Sequence, residues 1–273
     1  MQWVVISVAF TALAPILNAG PWIQPKGHGQ VILTSSFYRT GSEFGSGGDT
    51  QSFGYGGDYR QISVYANIET SVTRRDAVIM NLPVELLDFR NQYGNLSINS
   101  LGDVEFSWKH LLTRPNGRWV VSGQVTGMVP AYSESDNPAP GNHQQDVEGR
   151  LMVGSSKELS HHHLFWDAEA AYRYRNGAPA DQFRSDGTLG LEFTHHLMAL
   201  AQVFAIKGLQ DGQPVTANSN PNTQSDFDLY KAQPSLVIML GHGTSLQGAW
   251  NDAFAGRNTG NGSSVILALW KKF

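Results

Sequence analysis

The feature that most constrains this chain is the rhythm of its connecting segments. Stretches of about ten residues with partial two-residue alternation recur between residues 28 and 273, separated by clusters of Gly, Asn, Asp, Ser and Pro. Long connections such as GSEFGSGGDTQSFGYGGD take turns with short ones such as TRRD and the junction His195-His196. Short turns at one end and long loops at the other are typical of outer-membrane barrels, and a soluble sandwich gives no reason for them.

The alternating segments match the length of a tilted membrane strand, which takes about 9–11 residues. They span residues 28–40, 59–72, 77–89, 102–112, 117–130, 147–156, 163–175, 185–195, 197–209, 228–241, 243–253 and 262–273. The sequence therefore predicts an all-β fold, a transmembrane antiparallel up-and-down β-barrel of about 12 strands. A soluble secreted β-sandwich or a lipocalin-like barrel is the alternative.

The composition agrees with membrane spans made of strands. The chain has 29 Gly and only 15% of its residues are charged, which favours a β-rich fold with many turns. Beyond residue 19, no apolar run approaches the roughly 18 residues that a membrane helix would need. The lack of Cys excludes a disulfide framework and thiolate metal sites, and a net charge of -4 without a basic stripe argues against nucleic acid as a partner.

The segment at residues 102–112 shows how the two faces of a strand differ. Val104, Phe106 and Trp108 fall on one side, and charged side chains fall on the other. We expect the apolar side to face outer-membrane lipid and the charged side to face a narrow lumen, because wide aqueous channels need about sixteen strands. The predicted lumen-lining residues are Glu69, Glu85, Asp103, Glu105, Lys109, Asp167, Glu169, Arg173, Arg175 and Glu192. Acid is in excess among them, which predicts a small, weakly cation-selective pathway.

The first 19 residues form an apolar stretch, MQWVVISVAFTALAPILNA, that closes on the small-residue pattern Leu17-Asn18-Ala19. This pattern predicts a secretory signal peptide at residues 1–19, cleaved before Gly20, and an outer-membrane barrel at residues 20–273. A buried N-terminal helix is the alternative reading. An exported chain of this kind is expected in the bacterial outer membrane.

The last segment, SSVILALWKKF, alternates toward a final aromatic residue. Val265, Leu267, Leu269 and Phe273 share one face of the strand, and Lys271 interrupts their apolar pattern. A Lys at the edge of the bilayer can place its ammonium among the lipid headgroups. The pattern resembles the terminal strand by which outer-membrane barrels are recognised. We therefore expect Phe273 to be the assembly signal and the barrel assembly machinery to be a partner.

A family resemblance comes from the stretch GPWIQPKGHGQVILTSSFY at residues 20–38. Its opening, Trp-x-x-Pro-Lys-Gly-x-Gly-Gln from Trp22 to Gln30, resembles the outer-membrane transporter family named for the meta-pathway of phenol degradation. It is also similar to the outer-membrane barrels associated with exopolysaccharide synthesis. The resemblance implies a passive channel or transporter-like protein, for which small hydrophobic or aromatic solutes and polysaccharide are the candidate partners.

The first long connection carries Phe44, Phe53 and Tyr55 among its glycines. Under the channel interpretation, this connection lies at the outer mouth of the barrel. We expect the three aromatic side chains to gate access or to contact an apolar solute there.

Two other functions fit an outer-membrane barrel. The first is a structural or adhesive barrel that supports surface polysaccharide or biofilm. The second is a lipid-modifying enzyme, for which the stretch GHGTSLQGAWND offers His242, Ser245 and Asn251. Because His242 and Ser245 are three residues apart, they point to opposite faces of a strand, and the sequence predicts no enzyme and no cofactor.

Histidines cluster at two predicted short turns, His161-His162-His163 and His195-His196. Neutral imidazoles bind Zn or Cu, but neither cluster has an acidic or Cys partner at ligand spacing. We interpret the clusters as solvated turn residues and predict no metal site.

Overall fold

The structure is a computed structural model that describes residues 20–113, 118–159, 162–213 and 220–273. The predicted signal peptide at residues 1–19 and His161 lie outside the described residues.

Nearly all of the regular structure is β. The strands are β1 (Gly29–Thr40), β2 (Ser42–Phe44), β3 (Thr50–Ser52), β4 (Asp58–Ser71), β5 (Asp76–Asn91), β6 (Gly94–Leu101), β7 (Asp103–Leu111), β8 (Val120–Pro130), β9 (Asp146–Leu159), β10 (His162–Arg175), β11 (Gln182–Thr194), β12 (Leu197–Gly208), β13 (Asp228–Gly241), β14 (Thr244–Arg257), β15 (Thr259–Gly260) and β16 (Ser263–Lys272). Two short 3-10 helices, η1 (Gly54–Gly56) and η2 (Pro221–Thr223), lie in the connections. No helix among the described residues is long and apolar enough to cross a membrane.

Strand pairing closes the wall into a barrel of 12 antiparallel strands, and the predicted fold class is confirmed. Each strand of the wall pairs with the next wall strand along the chain, and β16 returns to pair with β1. The strands β6 and β7 act as one wall strand interrupted at Gly102, because both pair with β5 along different parts of its length. At the seam, Gly29 and Phe273 exchange two backbone hydrogen bonds of 3.0 Å. The assembly role predicted for Phe273 involves a partner and stays a prediction.

The two ends of the barrel differ in their connections. At one end, which we call the inner end, residues 72–75, 195–196 and 242–243 make short turns beside Gly29 and Phe273. At the other, the outer end, the long connections are residues 41–57, 131–145 and 209–227. The general rule for such barrels places the short turns in the periplasm.

One predicted outer loop is wrong. The predicted strands at residues 77–89 and 102–112 leave RNQYGNLSINS, residues 90–100, as a long connection, yet β5 and β6 continue through it as a hairpin with a turn at Gln92 and Tyr93. Leu87 and Phe89 of β5 pair with Ile98 and Leu96 of β6. Alternation across two strands joined by a two-residue turn is typical of a hairpin, and it outweighs the Asn and Gly content.

The two faces of the wall have the polarity of a membrane barrel. Phe106 and Trp108 are 54% and 51% exposed on the outside, whereas Ser107 and Lys109 between them are buried inside. Leu267, on the strand that closes the seam, is also exposed. A soluble barrel would bury its apolar face, so this distribution requires lipid around the wall.

A small sheet of β15, β2 and β3 lies over the outer end. Its Phe44 is buried, at a position where Gly256 has no side chain. Phe53 packs edge-on against Phe89 of β5, with ring centroids 6.0 Å apart, and Tyr55 packs against Tyr93 at 4.9 Å. The three aromatic residues predicted to gate access are thus held by the outer sheet and the β5–β6 hairpin.

Candidate functional site

The interior of the barrel is the candidate functional site, and its inner end is filled by the segment Gly20-Pro21-Trp22. Gly20 and Pro21 are buried. The ammonium of Lys109 on β7 donates to the Gly20 carbonyl at 3.4 Å, and the hydroxyl of Ser122 on β8 donates to the Pro21 carbonyl. Because β7 and β8 contribute their inward-facing side chains, the segment lies inside the wall. The sequence analysis did not predict this.

Missing side chains make room for the segment. A Cβ on Gly154 would come 2.8 Å from the Trp22 ring and 3.0 Å from Pro21. The Trp22 ring meets Phe165 edge-on at 6.1 Å, and Phe165 occupies the space over Gly190, where a Cβ would lie 2.0 Å from the ring. The two glycines are therefore required by close approach of aromatic rings.

The residues that carry the family resemblance form the turn between the inner segment and the first strand of the wall. Gly27 has a φ of +82°, which a residue with a side chain rarely adopts. The His28 N–H donates to the Pro25 carbonyl at 3.0 Å, so the chain turns there from the interior into the wall. At Gly29 a Cβ would lie 2.3 Å from the Glu69 carbonyl oxygen and 2.7 Å from the Phe273 ring. The motif is a turn that connects the inner segment to the seam.

An apolar cluster fills the remainder of the inner end. It consists of Phe165, Met198, Leu200, Val237, Ala268 and Trp270, with Trp22, Ile32 and Met239 packed against it. The expectation of an interior lined by charge is therefore incomplete. The signal was present in β12, which reads LMALAQVFAIKG and is apolar on both faces. Such a strand faces lipid on one side and a dry part of the interior on the other.

The predicted lumen residues on β4 and β7 are mostly paired. Lys109 and Glu69 form an ion pair of 2.9 Å, and both side chains are almost fully buried. Glu105 accepts a hydrogen bond from Asn81 at 2.8 Å. Asp103 begins β7 at the outer end. Its carboxylate lies beside the 131–145 connection, where a Cβ on Gly141 would come 3.0 Å from Asp103 Oδ2.

The remaining predicted residues lie on β5, β10 and β11. The carboxylate of Glu85 accepts hydrogen bonds from Gln61 at 2.5 Å and from Ser63 at 2.9 Å. Glu192 lies 3.8 Å from His163 near the inner end. Asp167, Glu169, Arg173 and Arg175 all come from β10 and face the interior, and all but Arg173 are buried.

Arginines missed by the sequence analysis join Glu169 and its neighbouring carboxylates into one network. Arg150 on β9 lies 2.5 Å from both Glu169 and Asp186 and 2.8 Å from Glu148. Glu148 also pairs with Arg173 at 2.9 Å and with Arg184 at 3.4 Å, and Arg175 lies 3.6 Å from Asp146. The two-residue register that identified Arg173 applies equally to β9 and β11, so this signal was available.

The outer half of the interior holds a cavity of about 270 Å³. It is lined by Ser36, Tyr38, Gln61, Ser63, Tyr65, Pro140, Ile206, Asn220, Asn222, Phe227, Leu229, Lys231, Asn251, Ala253, Thr259, Gly260, Gly262 and Ser264. Hydroxyls, amides and apolar groups share this lining. Lys231 is its cation, no Asp or Glu belongs to it, and within the described part of the chain the Lys231 ammonium makes no hydrogen bond or ion pair.

Outer connections form the roof of this cavity. The Asn220 amide donates to the Ala139 carbonyl at 2.6 Å, which ties the 209–227 connection to the 131–145 connection. The Asn222 amide donates to Gln61 on the wall at 3.3 Å, and its backbone N–H is held by the Asn220 side chain at 2.9 Å. The cavity therefore lies beneath segments that belong to loops rather than to the wall.

The residues considered for lipid chemistry do not meet. Ser245 is buried on the inner face of β14, whereas His242 is exposed in the turn before it with a φ of 50°. Asn251 donates to Gln233 at 3.1 Å and lies six residues beyond Ser245, a distance of about 20 Å along a strand.

The described histidines have local partners. The His196 ring lies 3.2 Å from the Met239 carbonyl, and His163 lies between Glu158 and Glu192 at 3.9 and 3.8 Å. Within the ranges that the structure covers, no group of three or more His, Cys, Asp or Glu side chains is arranged to hold a metal ion.

Comparison with known proteins gives matches of structure alone. No family model and no curated protein matches the sequence. The COG4313 outer membrane channel from Pseudomonas putida F1 has a TM-score of 0.70 at 11% identity, over 94% of this chain and 100% of that one. The β domain of the Bordetella autotransporter BrkA has a TM-score of 0.51 at 13% identity, over 91% and 100%. The NanC porin has a TM-score of 0.50 at 9% identity, over 88% and 98%.

At these identities the likeness concerns the fold. It agrees with the closed wall, the apolar exterior and the contrast between short turns and long connections. The chain is an outer-membrane β-barrel.

Proposed function

We propose that this protein is a passive channel of the outer membrane for small solutes that combine an aromatic or apolar body with a polar group. The observation that carries the proposal is the outer cavity, whose lining places Tyr38, Tyr65 and Phe227 together with side-chain amides and Lys231. A pathway of this kind offers several weak contacts rather than one tight site, which passive conduction requires.

The cavity volume limits the size of the solute. Pockets for drug-sized ligands measure about 300–1,000 Å³, so a cavity of about 270 Å³ suits a single ring with a few substituents. A carboxylate on such a ring would meet the ammonium of Lys231, which has no acidic partner in the lining. Small aromatic acids are therefore the first solutes to test.

The inner end restricts conduction. The Lys109–Glu69 pair, the apolar cluster and the segment Gly20-Pro21-Trp22 occupy it. Side chains of the wall hold this segment, so it is able to move without breaking the barrel ladder. We propose that the protein conducts small ions in small steps and that displacement of Trp22 enlarges them.

Planar-bilayer recording of the purified protein tests the proposal. Benzoate added to the outer side should reduce the ionic current of the wild type, and Lys231→Met should weaken that block by about tenfold, since one buried charged contact is lost. Lys157→Met, an exposed position on β9, is the matched control and should behave as the wild type. A lack of conductance in both the wild type and Trp22→Ala, or a current that benzoate never affects, would reject the proposal.

A structural or adhesive role is the second candidate, and one observation favours it. Tyr55 and Tyr93 are 65% and 72% exposed, and their rings pack edge-on against each other at the turn of the β5–β6 hairpin. Exposed aromatic rings can stack on the apolar faces of sugars. Binding of isolated surface polysaccharide to cells that carry Tyr55→Ala and Tyr93→Ala, compared with wild-type cells, measures this role, and equal binding would speak against it.

We propose that the barrel is not an enzyme, because Ser245, His242 and Asn251 lie apart. A phospholipase assay on the purified protein tests this. Activity that disappears in Ser245→Ala would contradict the proposal.

A further inference from the structure

Within the described residues, the carboxylate of Asp167 forms no ion pair. Its side chain is 4% exposed, and within the described residues its Oδ1 atom has no hydrogen-bond partner. Thr188, opposite on β11, offers it only a hydroxyl. The guanidinium of Arg150 on the neighbouring strand β9 is bound by Glu169, Asp186 and Glu148 instead. A buried carboxylate with no cationic partner is unfavourable, so a missing positive group is expected at this position.

Gly20 of the inner segment lies beside that carboxylate. A substituent on its Cα would lie 3.6 Å from Asp167 Oδ2. The Gly20 nitrogen is bonded to the same Cα, which puts it within about 6 Å of that oxygen. Lys109 and Ser122 hold the carbonyls of Gly20 and Pro21, so the segment presents its Gly20 end to β10 in a fixed orientation.

The sequence supplies the missing charge at this residue. The pattern Leu17-Asn18-Ala19 predicts cleavage before Gly20. Hydrolysis of the Ala19–Gly20 peptide bond by a signal peptidase consumes one water, leaves a carboxylate on Ala19 and releases an amine on Gly20, which is protonated at neutral pH. We infer that the ammonium group created on Gly20 by signal-peptide removal binds the carboxylate of Asp167 inside the barrel.

Because of this ion pair, closure of the inner end depends on removal of the signal peptide. An uncleaved chain has an uncharged amide at residue 20 and offers Asp167 no positive charge. A cleaved chain would bury two charges that are each unfavourable alone, and pairing them holds Trp22 against Phe165. The inference rests on the cleavage position and is independent of what the channel conducts.

Protection of the Gly20 amine is the first test. Barrel purified from outer membranes is treated with an amine-acylating reagent, and mass spectrometry of the N-terminal peptide gives both its first residue and its rate of acylation. We expect Gly20 as the first residue and an acylation rate in Asp167→Asn on the order of tenfold above wild type, because the amine is then held less often in the interior. Asp103→Asn, at the outer end of the same interior, is the matched control and should leave the rate unchanged.

A second measurement remains decisive if Asp167→Asn fails to fold. The sequence contains no Cys, so Ile23→Cys gives a single reporter on the inner segment. Chains of residues 20–273 are refolded with either a free or an acetylated Gly20 amine, and maleimide labelling of the reporter is timed. Several-fold faster labelling of the acetylated chain supports the ion pair. Equal labelling rates, or an N-terminus other than Gly20 in the purified barrel, would overturn it.

Discussion

The two ends of the barrel interior share the same wall, but the inner end is filled by packed side chains and the outer end holds a cavity. At the inner end, Trp22 and Phe165 interlock and Lys109 is paired with Glu69. At the outer end, Lys231 faces a cavity without an acidic partner. Both are lysines on barrel strands, so the difference comes from what covers them: a segment inserted from the seam on one side and loops on the other. Closure and solute contact are therefore separate properties of this barrel.

The largest expected effect compares the two lysines directly. Lys109→Met leaves Glu69 buried without its partner and should lower the free energy of unfolding by about 3–5 kcal/mol. Lys231→Met removes an ammonium that makes no hydrogen bond or ion pair within the described residues, and it should change the free energy of unfolding by less than about 1 kcal/mol. Denaturant unfolding of both variants in detergent micelles gives the two values. Equal losses would mean that the ends do not differ as described.

A smaller effect is expected from two neighbours on β16. Val265→Arg puts a cation on the exposed apolar face, where the cost reaches about 2–4 kcal/mol at the middle of the bilayer and falls toward its edges. Ser264→Arg points into the outer cavity, whose lining includes hydroxyls and amides, so it should cost less. Folding yields in lipid vesicles rank the variants. If Ser264→Arg is the worse of the two, the outer end is as tightly packed as the inner end.

The smallest effect concerns two glycines of β9. Gly154→Val would collide with Trp22 and Pro21, and we expect a cost of about 1–3 kcal/mol together with larger conductance steps as the segment is displaced. Gly149→Val has open space around it and should leave both quantities unchanged. Thermal unfolding and bilayer recording measure the pair. Unchanged conductance in Gly154→Val would show that the inner segment does not control the pathway.

The wall of this barrel was predictable from sequence because the pleat fixes a two-residue period wherever one face meets lipid. Residues 102–112 and 262–273 alternate clearly between apolar and polar side chains. In the structure their apolar side chains lie on the exposed outer face, as predicted. The hairpin at Gln92 and Tyr93 was missed because turn-forming residues occur inside it.

The interior was only partly predictable. Periodicity assigns Asp167 and Lys109 to a face but does not say which residues meet across the lumen, since that depends on how the wall closes. Trp22 lies outside any alternating segment. Its position inside the barrel depends on the space that Gly154 leaves for its ring and that Gly190 leaves for Phe165. The lack of an acidic residue around Lys231 in the cavity lining depends on which strands and loops surround it, so no local sequence pattern could predict it.

The seam has a consequence for the order of events in biogenesis. Gln30 pairs with Lys272, so the first strand of the wall receives its second neighbour from the last strand of the chain. Until β16 has been made and exported, the free edge of β1 exposes unpaired backbone groups that could join another chain. The first strand is thus the earliest part of the barrel to leave the ribosome and among the last to be completed. The interval between these events is when we expect the chain to depend most on periplasmic chaperones.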